Sequence, residues 1–166
     1  MDELLGVLRQ EKQGYVNLTQ LSEEKRTCIV AGDVDKLDSI SSKEQDETAN
    51  LKNLENKRVK ILKDMAVVLG KDDEEVTISA MIEMLERQPS EQAKLVQAKD
   101  ELVSQASEMQ IANQQNEILL RHAMEMVEFD LTLLKSLKQA PETANYDKNA
   151  YNTGEILGNS GFDTKQ

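Results

Sequence analysis

LDSISSKEQDETANLKNLENKRVKILKDMAVV, residues 37–68, decides the fold. Within it Leu37, Ile40, Glu44, Glu47, Leu51, Leu54, Arg58, Ile61, Met65 and Val68 follow one another at alternating steps of three and four. A helix turns once per about 3.6 residues, so these positions form one stripe along a single long helix. A second run repeats the pattern: Leu95, Ala98, Leu102, Gln105, Met109, Ala112, Asn116, Leu119, Ala123, Met126, Asp130, Leu133 and Leu137. Two matching stripes with a short connection predict an antiparallel helical pair.

Composition agrees. Among 166 residues there are 2 Pro, 7 Gly and 3% aromatics, a mix that favours long helices over sheets. The 39% hydrophobic fraction is low for a globe but enough for an elongated bundle, which needs only narrow apolar stripes. The predicted fold is all-α: an elongated antiparallel helical bundle of three long helices and one short connecting helix. Its packing is coiled-coil-like, and a flexible C-terminal tail follows.

The formal charge of −11 disfavours phosphate backbones and anionic lipid surfaces, and no Lys/Arg block interrupts the acidity. Nucleic acid is therefore not an expected partner. The N-terminal MDELLGVLRQEKQG lacks the basic start and apolar run of a signal peptide. No segment approaches the roughly 18 uninterrupted apolar residues of a membrane span, so no direct membrane insertion is expected. Cys28 is the only cysteine and has no internal disulfide partner, which fits a reducing cytosol.

The first helix is predicted from Asp2 to about Val30. Leu4, Leu8, Tyr15, Leu18 and Ile29 share one face, whereas Glu11, Ser22 and Lys25 are read as breaks in it. Gly6 and Gly14 each cost about 1 kcal/mol in a helix interior, so this helix is expected to be the weakest of the three long ones. Ala31-Gly32-Asp33 then supplies a terminal glycine and an N-cap carboxylate. The second helix covers about Asp33 to Leu69, roughly 55 Å. Gly70 ends it, and Lys71 to Val76 form a charged turn. Thr77 caps a short helix holding Ile78, Met81, Ile82 and Leu85. Pro89 stops that helix, and Ser90 opens the third long one, to about Gln139, roughly 75 Å. From Pro141 no period survives. The domain reading is a helical bundle over 1–140 and a flexible tail over 141–166.

Polar residues interrupt both stripes. With the hairpin midpoint near Ala80, Glu44 falls near Asn116 and Glu47 near Asn113, where an amide can donate to a carboxylate. Arg58 falls near Leu102, with Glu101 and Gln105 in reach. Glu44, Glu47, Arg58, Asn113 and Asn116 are thus candidate register marks, since polar seam residues fix register at some cost in stability.

The third helix carries more apolar surface than its seam needs. Leu120, Met124, Val127, Leu131 and Leu134 form another three-four series, widened by Ile118 and Phe129. By the assumed register, Glu128 to Gln139 extend past the partner helices and leave this face poorly covered. A contiguous exposed apolar patch commonly marks a binding site, and an amphipathic helix from a partner suits it. Candidate partner-binding residues are Leu120, Met124, Val127, Phe129, Leu131 and Leu134. A second reading gives the same stripe to another copy of a structural coiled-coil protein.

The chemistry of an enzyme is missing from the sequence. His122 is the only histidine, and no Cys/His cluster accompanies it, so no metal site is expected. Gly154-Glu155-Ile156-Leu157-Gly158 has neither the spacing nor the flanks of a phosphate loop. Cys28 has no activating histidine in sequence reach. No cofactor and no small-molecule substrate are expected.

The order of features resembles the FlgN family of flagellar type III export chaperones. The likeness lies in Tyr15, Leu18, Leu21 and Lys25, then Gly32-Asp33 with Leu37, Ile40 and Glu44, then Leu54-Glu55 and Arg58. Asn113-Gln-Gln-Asn116 leads into Leu119-Leu120, and Tyr146 and Gly154 follow, so the likeness runs from about Leu4 to Gly154. It implies a cytosolic, non-enzymatic chaperone. Such a protein binds the hook–filament junction proteins FlgK and FlgL and delivers them to the export gate protein FlhA. It also implies client contact by the C-terminal part, carried by position to Leu120, Met124, Val127, Leu131 and Leu134. A gate-facing tyrosine is carried to Tyr146, with Tyr151 second.

Overall fold

The fold, a computed structural model, is described for residues 1–68 and 76–139. Four helices account for almost all of them: α1 (Asp2–Ala31), α2 (Val34–Val68), α3 (Ile78–Met84) and α4 (Pro89–Gln139). The fold is all-α, and the described residues form three long helices and one short one. The chain divides into two compact units, Met1–Val127 and Glu128–Gln166. Of the second unit, the described residues are the final turns of α4. The expected domain boundary at 140 and the expected tail over 141–166 lie outside the described residues.

Local chemistry sets the helix ends. Gly32 is left-handed, with φ 68°, and its N–H bonds back to the carbonyls of Cys28 and Ile29. A side chain resists that conformation, so glycine closes α1 there. One residue later, Asp33 Oδ1 accepts from the Lys36 N–H at 3.1 Å and caps α2. The side-chain and backbone bonds from Lys36 hold the Asp33 carboxyl below its ordinary range. Thr77 Oγ1 caps α3 in the same way, accepting from the Ala80 N–H at 3.1 Å.

Pro89 plays a different part from the one its sequence suggests. α3 has already ended at Met84, and α4 begins at Pro89 itself. The first turn of a helix has no partner for its N–H groups, so proline there loses no bond.

The larger correction concerns α1. It is the central helix of its unit: ten of its residues are buried, against four on α2. α1 and α2 run antiparallel, as Gly14 beside Leu51 and Lys25 beside Glu44 show. α1 and α4 run parallel, with Lys12 paired to Glu101 and Ser22 bonded to Asn113. Glu11, Ser22 and Lys25 do not break the α1 stripe. With Leu4, Leu8, Tyr15, Leu18 and Ile29 they complete it, at steps of four and three. Gly14 is likewise no weakness. A Cβ there would lie 2.7 Å from Leu51 Cδ2 and 2.9 Å from its Cγ, so the absent side chain lets α2 approach.

The apolar core sits where α1 begins. Leu4, Leu5, Val7 and Leu8 pack with Ile61 and Leu62 from α2, Met81 from α3, Leu85, and Leu95 and Leu102 from α4. Leu4, Met81 and Leu95 are wholly buried. Fully burying such a side chain contributes about 1.5–3 kcal/mol. Two polar contacts brace this end: Gln92 Nε2 donates to the Ile82 carbonyl at 2.9 Å, and Lys99 Nζ to Ser79 Oγ at 2.9 Å.

Candidate functional site

Two surfaces stand out, a groove within the first unit and the apolar residues of late α4. The groove opens between α2 and α4, with α1 as its floor, and holds about 850 Å³. Glu11, Tyr15, Leu18 and Lys25 form the floor. Glu44, Thr48, Leu51, Lys52, Glu55 and Arg58 form the α2 wall. Leu102, Val103, Ala106, Met109, Asn113, Asn116, Glu117 and Leu120 form the α4 wall.

The five expected seam residues find their partners on α1 or within their own helix rather than across the α2–α4 pair. Lys25 Nζ donates to Glu44 Oε2 at 2.7 Å. Asn17 Nδ2 donates to Glu47 Oε1 at 3.2 Å. Arg58 lies 3.4 Å from Glu11 and 3.8 Å from Glu55, not beside Glu101, which Lys12 holds at 2.9 Å. Lys12's hydrogen bond keeps the Glu101 carboxyl below its ordinary range. Ser22 Oγ donates to Asn113 Oδ1 at 3.0 Å. Buried Asn116 donates to the Ser22 carbonyl at 2.6 Å and accepts from Arg26 Nε at 3.4 Å. Glu44 and Asn116 do line one groove, but the side-chain bonds they make run to α1 and not to each other.

The groove's electrostatics are uneven. Glu11 is 2% exposed, and burial raises its carboxyl above the ordinary 4.5; Arg58 opposes that rise and Glu55 adds to it. Glu11 Oε2 and Glu44 Oε1 are both buried with no hydrogen-bond donor. Sequence reasoning misses Glu11, Ser22 and Lys25 because their polarity hides their phase. The signal is present in the unbroken three-four spacing from Leu4 to Ile29.

On late α4, all six candidate client residues are exposed, from 39% at Leu120 to 67% at Phe129. Leu120, Met124 and Val127 belong to the first unit, and Phe129, Leu131 and Leu134 to the second. The seam stripe is covered as far as Ala123; Met126, Leu133 and Leu137 beyond it are exposed. Tyr146 and Tyr151 lie outside the described residues. Cys28 is free and buried. His122 is exposed, and among the described residues no His/Cys/Asp/Glu group could hold a metal ion. No described helix is long and apolar enough to cross a membrane.

Long helices joined through side chains, with a groove between them, define an all-helical bundle without catalytic or metal chemistry among the described residues. The model of the FlgN protein family matches residues 1–154, and the chain belongs to that family. It is a family of flagellar export chaperones rather than of enzymes. No curated protein and no solved structure matches the chain significantly.

Proposed function

We propose that the protein binds the hook–filament junction proteins FlgK and FlgL in the cytoplasm, shields an aggregation-prone helical segment of each, and delivers them to the export gate protein FlhA. Family membership supports the chaperone role. The observation that carries the client surface is the exposed series Leu120, Met124, Val127, Leu131 and Leu134; Phe129 is exposed as well. At about 100° per residue Leu120, Met124 and Val127 of the first unit share one face of α4, as do Leu131 and Leu134 of the second, the kind of surface into which an amphipathic client helix packs; Phe129, about 180° round the helix from Leu120, is on the other side, against the expectation that it widens this face. Met124 adds a flexible side chain that adapts to more than one client. Tyr146 and Tyr151 are the proposed contacts to FlhA.

Calorimetry of the full chain with C-terminal segments of FlgK and FlgL from the same organism tests this reading. Heat and a saturating isotherm are expected. Neither heat nor co-elution at tens of micromolar would sink it. Leu131→Glu with Leu134→Glu should abolish binding while helicity by circular dichroism stays unchanged. Binding that survives the double variant removes this face as the client surface.

A further inference from the structure

We propose that the groove between α2 and α4 is a second docking surface, and that its occupant is an amphipathic helix of a partner protein bearing a lysine or arginine beside its apolar face. The inference rests on the chain being a binder of protein segments, and the groove meets the α4 stripe at Leu120.

The geometry points to a helix. Among the described residues no side-chain hydrogen bond or ion pair joins α2 to α4. The walls are tied to α1 instead and leave a trough between them. Along α4 the lining runs from Leu102 to Leu120, about 27 Å at 1.5 Å per residue. That length suits roughly five helical turns rather than a compact small molecule. The antiparallel α2 and α4 walls offer a fourth helix the seat it takes in a four-helix bundle. Tyr15, Leu18, Leu51, Leu102 and Met109 give the trough its apolar surface.

The charge follows from the unmet acceptors. Buried polar atoms are nearly always hydrogen-bonded, because a protein interior cannot replace the water they lose. Here Glu11 Oε2 and Glu44 Oε1 have no donor, although Arg58 Nη1 stands 3.4 Å from the former as an ion pair. Carboxylates lining the trough (Glu11, Glu44, Glu55, Glu117) outnumber its cations (Lys25, Lys52, Arg58). An ammonium or guanidinium brought in by the occupant offsets that excess of carboxylates and adds an attractive charge to the field at Glu11 Oε2 and Glu44 Oε1, which are closed to direct contact.

Methionine methyl groups provide the readout. Met109 lines the groove, whereas Met124 and Met126 are exposed further along α4. The full chain, labelled with 13C at the methionine methyls, is titrated with a synthetic helix of about 18 residues, roughly five turns, with leucines on one face and lysines flanking them. A twin peptide carries glutamate for each lysine. The lysine peptide is expected to shift Met109 and to bind about tenfold tighter than its twin. Glu11→Gln with Glu44→Gln should remove most of that preference. Ala106→Phe, which fills the trough, should abolish the Met109 shift and leave Met124 and Met126 responsive. Circular dichroism confirms that each variant is folded, and Ala106→Phe remains decisive if the double variant is not. An unmoved Met109 overturns the proposal. So does a lysine preference unchanged in the folded double variant, because the whole chain's acidity would then be choosing the peptide. FlgK and FlgL heats that persist beside a silent Met109 leave the chaperone reading standing and remove only the groove. Absent client heats would instead remove the reading on which it rests.

Discussion

The two ends of α1 lie in one helix and are held by different physics. Around Leu4 and Leu8, aliphatic side chains from all four helices and Leu85 close a dry core. Around Ser22 to Arg26, the neighbouring helices are joined through Asn113, Asn116 and Glu44 by directed polar bonds. Dispersion and hydrophobic burial are non-directional, so the first end contributes stability and little choice of register. A hydrogen bond returns only about 0.5–1.5 kcal/mol net, yet a register slip strands its donors. The second end contributes less stability and more specificity.

The largest break in that contrast is Leu8→Ala. Leu8 is 1% exposed and belongs to the shared core. Truncation should cost about 2–5 kcal/mol, read from urea melts, and should lower the melting temperature of the whole first unit. A loss below about 1 kcal/mol, the range of an ordinary surface change, would mean that the core is looser than its burial shows.

Asn116→Ala probes the other end. It removes the donor to the Ser22 carbonyl and the acceptor for Arg26. A loss of about 1–3 kcal/mol is expected, with Ser22→Ala smaller because exposed Asn113 regains water. Native-state hydrogen exchange should show the effect concentrated in amides of residues 22–30, with residues 4–8 still protected to the global limit. Uniform acceleration would erase the distinction between the two ends.

The two helical glycines sharpen the comparison further. Gly6 has nothing within 4 Å of a built Cβ, so Gly6→Ala should gain about 0.5–1 kcal/mol from helix propensity. Gly14→Ala offers the same intrinsic gain, but its Cβ would meet two atoms of Leu51 inside 3.0 Å and Glu47 Oε1 at 3.1 Å. The net change should be neutral to destabilising by about 1 kcal/mol, the lower end of overpacking costs. Equal stabilisation by both would show that α2 can withdraw from Gly14 freely.

Much of this is legible in sequence. The stripe from Leu37 to Met65, the Gly32-Asp33 break and the Thr77 cap follow from period and local chemistry, which operate within a few residues; Val68, the expected last member of the stripe, is exposed. The partners of Glu44, Glu47, Asn113 and Asn116 are not legible. Two stripes can be paired on paper, but three helices share each seam, and only the third one decides who bonds whom. The weight that α1 carries is hidden for the same reason. Glu11, Ser22 and Lys25 look like interruptions until the neighbouring helices present partners to them. The exposed α4 face is visible as surplus apolar spacing, whereas the groove depends on how far α1 holds α2 and α4 apart.

The smallest effect is also the most specific to the junction between the two regimes, where Glu11 sits. Burial, the largest influence, raises its carboxyl above the ordinary 4.5. Between 4.5 and that raised value, the folded chain holds a proton that the unfolded chain has released. Stability therefore falls as pH rises through this window, and the penalty for a buried carboxylate is complete above it. Glu11→Gln removes the titration and leaves Arg58 with Glu55, 3.8 Å away. The variant should gain on the parent chain as pH is raised from 4.5 through that window, and gain no more above it. Urea melts of both proteins at a series of pH values from 4.5 upward measure this. A stability difference independent of pH would show that Arg58 fully compensates the burial, and that Glu11 belongs with the polar contacts further along α1 rather than at their boundary with the dry core.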